Sequence, residues 1–346
     1  MSEPGPRVDL SQYAAAVPDE VIGRLRAARR VLTICHENPE ADALGSALAV
    51  SLLVEAGGGV ATPVCADMVP EMYSFLAGMD RFRREPDPSI DYDLLVVVDC
   101  GELERIGPVL ESHHALFERV PILDIDHHLS NPRFGAVDWV DAESSATCEM
   151  VTLLAWRMDV PLTTGDGMLA AALAGGIVMD TGNFGHPNVT PRTLVVSAAL
   201  REAGAQFSEI ARRLYRSKPN TQLCLFGRVL ARMESDLDGR LVWSTLELAD
   251  LTASGADPAQ SEGLIDLLSQ SETAEAAILF KEVDGNASTR VSIRTRDGGV
   301  DATVLAGTFG GGGHARASGA TVALPLAEAR RAVLARAATL VAAVRR

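Results

Sequence analysis

The sequence lacks the marks of several common classes of protein. Its five cysteines are widely spaced and include no C-x-x-C pair, so neither a thiolate zinc site nor a disulfide scaffold is predicted. The longest apolar stretches, near residues 43–54 and 168–179, are too short to span a bilayer, and the first residues form no apolar signal region. We therefore expect a cytoplasmic protein with reduced thiols and no membrane partner.

A surplus of positive charge is also missing. The formal net charge of −15 at pH 7 argues against stable binding of duplex DNA, because such binding needs a broad Lys/Arg face. Small anionic substrates are compatible with this charge, since bound metal cations can supply a local positive site. Aromatic residues are sparse at 5%, but 47% hydrophobic and 22% charged residues are ordinary for a folded globular protein.

The length and the hydrophobic pattern predict two domains. A chain of 346 residues exceeds what one hydrophobic core usually serves. Up to about residue 130, apolar strands alternate with helical segments, which is the pattern of an α/β doubly wound parallel sheet. The later part changes to hairpin strands, with a turn at Asp284 and Gly285, and predicts a smaller α+β domain. The predicted boundaries are 1–215 for the first domain, 216–222 for a linker and 223–346 for the second domain.

The same pattern places the individual elements. Each predicted strand is a short run rich in Val, Ile and Leu, and each predicted helix has apolar residues at helical spacing. The predicted strands are Val31–Cys35, Thr62–Cys65, Leu94–Val98, Ile122–Ile125, Arg240–Leu246, Ala276–Val283 and Thr289–Thr295. The predicted helices lie at 43–55, 145–158, 167–178, 191–203, 206–216, 258–270 and 325–344.

Three predicted strands are each followed by residues of types that commonly bind metal ions. The first is followed by His36, Glu40 and Asp42, the third by Asp99, and the fourth by the triplet Asp126-His127-His128. The carboxyl ends of parallel strands form the ligand crevice of an open sheet, so these side chains should converge. Without cations, carboxylates this close would raise one another's pKa values and destabilise the fold. Imidazole and carboxylate donors without thiolate favour manganese or a related divalent ion, and two ions sharing a carboxylate form a phosphoryl-transfer site.

Each of these residues also has an ordinary structural interpretation. A lone aspartate at the end of a strand is more often a turn former or a helix cap than a ligand. A histidine pair can lie in a solvated loop, as we expect for His113-His114. The co-occurrence of the three strand ends makes a metal site the better interpretation, with Asp180, at the end of an apolar helix, as a further candidate ligand. Capping of a helix N-terminus is the interpretation we favour for Ser144, Ser145, Thr147 and Glu149.

With these motifs the chain resembles the DHH phosphoesterases, a family named for the triplet found here at Asp126-His127-His128. The segment from His36 to Ser46 resembles the family's first motif, Asp99 its second, and Asp180-Thr181-Gly182 its fourth. Spacing and length resemble most closely the nanoRNases and pAp phosphatases, a subgroup that includes enzymes acting on linear or cyclic dinucleotides. The exonuclease RecJ is longer than this chain.

The resemblance implies a role for each residue of the site. Asp99 would bridge two metal ions, His128 would act beside the scissile phosphate, and Asp126 would orient the histidines. The family usually has aspartate where this chain has Glu40, which leaves the strength of the first metal site open. The expected ions are two Mn²⁺, with Mg²⁺ or Co²⁺ as alternatives. The implied ligands are His36, Glu40 and Asp99 for one ion, and Asp42, Asp99, His127 and Asp180 for the other.

A glycine-rich segment near the C-terminus carries the predicted substrate contacts. The run Phe309–His314, followed by Ala317-Ser318-Gly319, resembles the glycine-rich motif of the DHH-associated domain. Independently of the family, glycines let backbone N–H groups approach a phosphate closely. Neighbouring arginines make the segment locally cationic, and Arg294 can bind a terminal phosphate through two donors. The predicted substrate-binding residues are Arg294, Gly311, Gly312, Gly313, His314 and Ser318.

The resulting hypothesis is a hydrolase acting on phosphate ester bonds. A metal-bound hydroxide would attack phosphorus in line with the leaving oxygen and release nucleoside monophosphates from short single-stranded RNA, linear dinucleotides such as pApA, or pAp. The active site would lie in the cleft between the domains, and the family implies a homodimer. One alternative is a nucleotide-binding regulator with an impaired metal site, which Glu40 and His186 motivate. Another is a pyrophosphatase-like hydrolase, although family II pyrophosphatases lack the glycine-rich ending.

Overall fold

The structure, a computed structural model, describes residues 8–283, 285, 287–296 and 298–344. It divides into two compact units, the first ending at Ser217 and the second beginning at Lys218. The predicted linker 216–222 spans this division, but its last residues already belong to a helix that starts at Asn220, directly after Pro219. Among the described residues, no helix combines the length and the hydrophobicity that a membrane crossing requires.

The first unit is built on a parallel five-stranded sheet in the order β2-β1-β3-β4-β5. Strand β3 is buried along its whole length, which explains its continuous apolar run. Strand β4 is equally buried, although it includes Asp124 and Asp126. The last strand was not predicted, because its buried and half-exposed residues alternate and it is only four residues long. The strands are β1 Arg30–Ile34, β2 Val60–Val64, β3 Leu94–Val98, β4 Ile122–Asp126 and β5 Val137–Val140.

Helices cover both faces of this sheet. One hydrophobic cluster joins a face of the sheet to α3, α6 and α7, and a second cluster joins the opposite face to α4 and α5. The predicted doubly wound architecture is therefore confirmed. The helices are α1 Ser11–Ala14, α2 Asp19–Ala27, α3 Ala41–Ala56, α4 Pro108–Ser112, α5 His114–Arg119, α6 Thr147–Arg157, α7 Met168–Asp180, α8 Pro191–Glu202 and α9 Phe207–Arg216, with 3-10 turns at Glu71–Tyr73, Met79–Arg81 and Leu103–Ile106.

Two glycines let α3 and α7 approach each other closely. A Cβ atom at Gly45 would lie 2.6 Å from the carbonyl oxygen of Ala172, and one at Gly176 would lie 2.4 Å from a carboxylate oxygen of Asp42. Real Cβ atoms do not come this close to other heavy atoms, so glycine is required at both positions. The contact carries the end of α7 towards the start of α3.

The second unit is a mixed six-stranded sheet in the order β10-β11-β9-β8-β7-β6. Only β7 and β8 run parallel to each other, and the other neighbours are antiparallel. Of the predicted turn between β8 and β9, Asp284 lies outside the described residues. The strands are β6 Glu234–Asp236, β7 Leu241–Leu246, β8 Ala276–Val283, β9 Ser288–Thr295, β10 Gly312–His314 and β11 Ala317–Val322.

Helices pack on both faces of this second sheet as well. One cluster includes residues of α13 and α14, and the other includes residues of α10 and α12, so the predicted α+β unit is confirmed. The predicted helix 258–270 is wrong in one respect, because Gly263, with φ of 80°, separates a 3-10 turn at Pro258–Ser261 from the following helix. The helices are α10 Asn220–Leu230, α11 Leu248–Ser254, α12 Leu264–Ser269, α13 Ala302–Gly307 and α14 Leu326–Ala343.

Candidate metal centre

The residues that follow β1, β3 and β4 meet at the carboxyl edge of the first sheet. These three strands are direct neighbours and run in the same direction, so their loops leave the sheet side by side. Asp99, directly after β3, has a left-handed backbone with φ of 54°. Such a conformation is uncommon outside glycine, and it often marks a functional position.

His36, Glu40 and Asp99 form the first group of donor atoms. The Nε2 atom of His36 lies 3.8 Å from Oε1 of Glu40 and 3.9 Å from Oδ2 of Asp99. The other ring nitrogen, Nδ1, lies 2.7 Å from the carbonyl oxygen of Glu37, so it carries the proton and donates it to that oxygen. Nε2 is buried and has no hydrogen-bond partner, which leaves its lone pair free for a cation.

Asp42, His127 and Asp180 form the second group, and it adjoins the first. The Nε2 atom of His127 lies 3.2 Å from Oδ2 of Asp180 and 3.5 Å from Oδ1 of Asp99. Within each group, one donor atom per residue lies within 4.8 Å of the others, and Asp99, His127 and His128 form a third such group. The structure thus brings together His36, Glu40, Asp42, Asp99, His127, His128 and Asp180, all of which the sequence marked.

The N-terminus of α6 binds the carboxylate of Asp42. The backbone N–H groups of Thr147 and Cys148 donate to its two oxygens over 2.6 and 2.9 Å, and the Thr147 hydroxyl donates to Asp99 over 3.0 Å. The positive end of a helix favours an ionised carboxylate at this place. The helix-capping interpretation of Ser144, Ser145, Thr147 and Glu149 is wrong, because Ala146 is the N-cap of α6 and the carboxylate that binds the first N–H groups of the helix is that of Asp42.

Asp126 connects the two histidines that follow it. Its Oδ1 atom accepts hydrogen bonds from the backbone N–H of His127 over 2.8 Å and from Nδ1 of His128 over 2.7 Å. Its Oδ2 atom accepts from the side-chain amide of Asn131, also over 2.8 Å. Asn131 was not predicted as a site residue, although its position close after the triplet could have indicated it. The network fixes the orientation of the His128 ring.

The acids of the site resist ionisation when no cation is bound. Burial, together with the neighbouring Asp42 carboxylate, raises the pKa of Asp99 to about 7. Burial and Asp180 raise the pKa of Asp42 to about 7, and burial raises that of Asp180 to about 6. Burial lowers the pKa of His127, but the hydrogen bond to Asp180 and the surrounding carboxylates outweigh it and raise the value to about 10.

The donor set fits divalent metal ions. Its members are imidazole nitrogens and carboxylate oxygens, which suit ions such as Mn²⁺. Thiols do not enter the set: burial raises the pKa of the nearby Cys148 well above its ordinary value, so this group stays a neutral thiol. Two cations would compensate for carboxylates that otherwise repel one another, and would give the free nitrogen of His36 a partner.

The second unit carries a separate pocket of about 730 Å³ on one face of its sheet. Arg290, Ser292 and Arg294 of β9 line it, together with residues 310–312 and parts of β11. Arg294 already donates from Nε to Oδ1 of Asp266 over 2.9 Å. The pocket therefore presents two arginines, one of which has an acidic partner.

Other residues of the predicted substrate site have structural contacts. A Cβ atom at Gly311 would lie 2.1 Å from the carbonyl oxygen of Gly319, and Gly313, with φ of 136°, passes similarly close to β11. Glycine is thus required for packing at these positions. Ser318 is buried and donates to the carbonyl oxygen of His314. The neighbouring Arg296 and Arg316 donate to backbone carbonyl groups.

Comparison with known proteins places this architecture in a family. Residues 30–177 match the DHH family, N-terminal domain, and residues 240–343 match the DHHA1 domain. The chain belongs to the DHH family, and it is a phosphoesterase, a hydrolase that acts on phosphate ester bonds. Among named relatives, a "bifunctional oligoribonuclease and PAP phosphatase NrnA" of Thermus thermophilus is 34% identical over 83% of this chain and 82% of its own. A protein of the same name from Bacillus subtilis is 27% identical over 83% of this chain and 87% of its own.

Solved structures show the same fold. An exopolyphosphatase-related protein from Bacteroides fragilis superposes with a TM-score of 0.81 at 22% identity, covering 93% of this chain and 95% of its own. The exonuclease RecJ bound to manganese superposes with a TM-score of 0.51 at 16% identity, covering 94% of each chain, so the expectation that RecJ is longer than this chain does not hold for that structure. Both likenesses concern the fold.

Proposed function

We propose that this chain uses two divalent metal ions to hydrolyse short oligoribonucleotides, linear dinucleotides such as pApA, and pAp to nucleoside monophosphates. The observation that carries the proposal is the pair of adjoining donor groups at the carboxyl edge of the first sheet, with Asp99 close to both. The relatives named as oligoribonucleases and PAP phosphatases support the substrate class.

We infer a ligand set for each ion from the donor groups. Asp99 would bridge the two ions, since one of its oxygens lies near His36 and the other near His127. Mn²⁺ is the ion we expect, with Mg²⁺ or Co²⁺ as alternatives. Bound there, the ions would neutralise charge on the phosphate and lower the pKa of water. The proposed ligands are His36, Glu40 and Asp99 for the first ion, and Asp42, Asp99, His127 and Asp180 for the second.

The chain's own residues would then position the phosphate and supply a proton. His128 binds Asp126 through Nδ1, so Nε2 is the ring nitrogen left to protonate the leaving oxygen. The hydrogen bond from His128 and the one from Asn131 outweigh the effect of burial and lower the pKa of Asp126. An ionised Asp126 in turn raises the pKa of His128, which keeps that ring able to donate a proton.

The pocket of the second unit would bind a further phosphate of the substrate. Arg294 would contribute its guanidinium group, and the backbone of residues 311 and 312, which line the pocket, would contribute further donors. Gly313 and His314, which were also predicted to bind substrate, are not among the residues that line it. Ser318 was also predicted to bind substrate, and its contact with His314 makes it a support for that loop. A requirement for a second phosphate would favour short substrates such as pAp and pApA.

Substrate profiling tests the proposal directly. The purified protein is incubated with Mn²⁺ and, in separate reactions, with pAp, pApA, a cyclic dinucleotide, a short RNA and inorganic pyrophosphate, with EDTA as control. We expect nucleoside monophosphates from the first two and from short RNA, and no product with EDTA. Tight binding of a nucleotide without turnover would instead support the regulator, and phosphate release from pyrophosphate alone would support the pyrophosphatase.

The regulator hypothesis rested on two departures that the structure now locates. The side chain of Glu40 is 46% exposed, yet its carboxylate lies within the first donor group. His186 lies against the turn after α7, where its Nδ1 is 3.1 Å from the carbonyl oxygen of Asp180. Glu40 thus keeps a donor atom within the first group, and His186 contacts a backbone carbonyl group, which favours turnover. The expected homodimer is a further proposal, and light scattering of the purified protein would test it.

A further inference from the structure

Arg192 lies outside the donor groups but holds the segment that supports them. It is the second residue of α8, and it forms ion pairs with Asp141 over 2.8 Å and with Glu149. Asp141 follows β5, and Glu149 lies in the first turn of α6. Arg192 therefore ties together the two ends of residues 141–149, called here the supporting segment.

The supporting segment contacts three of the proposed ligands. The carbonyl oxygen of Ser144 lies 3.3 Å from Nδ1 of His127, which orients that ring. The backbone N–H of Thr147 donates to Asp42, and its hydroxyl group donates to Asp99. Through these contacts, the position of the segment determines where three ligands point.

The position of Arg192 lowers the stability of the fold unless its ion pairs compensate for two unfavourable contributions. A cation in the first turn of a helix opposes the helix dipole. Its Nη2 atom is buried without a hydrogen-bond partner, which adds a desolvation cost. Glu149 is fully buried, and its second oxygen accepts from the Ser145 hydroxyl over 2.6 Å, so the pair is part of a connected network. A buried ion-pair network that lowers local stability is often found where the residues serve a function.

We propose that Arg192 is a positioning residue that holds the metal ligands in binding geometry through the supporting segment. It touches neither metal nor substrate, and it acts on metal affinity. The inference rests on the proposed function, because it takes Asp42, Asp99 and His127 to be ligands.

The test compares Arg192→Gln with wild type by calorimetric titration of Mn²⁺ into metal-free protein. We expect Mn²⁺ affinity to fall about 10- to 100-fold, as for other residues that orient metal ligands. Activity should recover at high Mn²⁺, with the KM for pAp near its wild-type value. Arg192→Lys, which keeps the charge, should lose less affinity.

Controls separate positioning from general stability. Arg232→Gln removes a similar arginine from the buried Asp250 of the second unit, and it should lower the melting temperature without changing Mn²⁺ affinity. The double variant Arg192→Met with Glu149→Gln avoids a buried unpaired carboxylate, so it keeps the test possible if the single variant fails to fold.

The outcomes are distinguishable. If wild type binds no Mn²⁺, the proposed function fails before Arg192 is tested. If wild type binds Mn²⁺ and the folded Arg192 variants bind it equally well, the positioning role is refuted. Equal losses of affinity in Arg232→Gln and Arg192→Gln would refute it too.

Discussion

The two units carry charged groups of opposite sign, and they differ in how the chain brings those groups together. In the first unit, acids and imidazoles from separate loops gather at the carboxyl edge, where Asp42 and Asp99 are fully buried. In the second unit, Arg290 and Arg294 lie on the same face of a single strand, β9, and line an open pocket. Without cations, the buried acids of the first arrangement have raised pKa values, whereas Arg294 of the second already has an acid, Asp266, as a partner. Removing residues from each unit should therefore have very different effects.

The largest effect is expected from Asp99→Ala. Because Asp99 lies near both donor groups, its loss should abolish binding of both ions and lower turnover by roughly a thousandfold or more, about 4 kcal/mol at the transition state. Metal content and initial rates with pAp and pApA measure the two effects. Asp91→Ala, at a side chain that is 71% exposed, serves as the matched control and should leave both unchanged. Wild-type rates in Asp99→Ala would refute the assignment.

A smaller effect is expected from Asp126→Asn. The amide can satisfy only part of the network that Asp126 makes with His127, His128 and Asn131, so His128 should lose its orientation and part of its basicity. We expect kcat to fall about 10- to 100-fold while two Mn²⁺ ions still bind. A loss of metal as complete as in Asp99→Ala would mean instead that Asp126 is itself a ligand.

Arg294→Ala should affect substrate capture and leave the chemical step nearly intact. Loss of a charged donor to a phosphate is expected to raise the KM about tenfold, with kcat within about twofold of wild type. Asp266→Asn frees Arg294 from its partner and should leave the KM unchanged or slightly lower, since an exposed ion pair contributes little. An unchanged KM in Arg294→Ala would show that the pocket does not bind this substrate.

The smallest effect concerns the stability of the first unit as a function of pH. Asp42 and Asp99 have pKa values of about 7 in the metal-free fold, against an ordinary value of 3.8. Between about pH 4 and pH 7 the folded state binds more protons than the unfolded state, so the metal-free protein loses stability as the pH rises. Mn²⁺ favours the ionised acids and should offset this loss. The gain in melting temperature over EDTA should be small at pH 5 and several degrees at pH 8; a gain that does not vary with pH would contradict the prediction.

Much of the fold was predictable from local pattern. Strand β3 is buried along its length and is a continuous run of Val and Leu, and the predicted helix 191–203 matches α8, which begins at Pro191 directly after its capping residue Thr190. Strands β5, β6, β10 and β11 were missed. They are short edge strands or glycine-containing strands, whose pairing depends on neighbours that are distant in the sequence.

By itself, the sequence determined the chemistry available to this protein: which donor types occur, that they follow buried parallel strands, and that such strands share one edge. The tertiary structure alone decided how the donors are held. Thr147 was interpreted as a helix cap because that is the common local use of its side chain, but the fold aims the free N–H groups of α6 at Asp42. The contact of Asn131 with Asp126 and the ion pairs of Arg192 with Asp141 and Glu149 arise in the same way. Hydrogen bonds between residues that are far apart in the chain depend on packing, which no local pattern records.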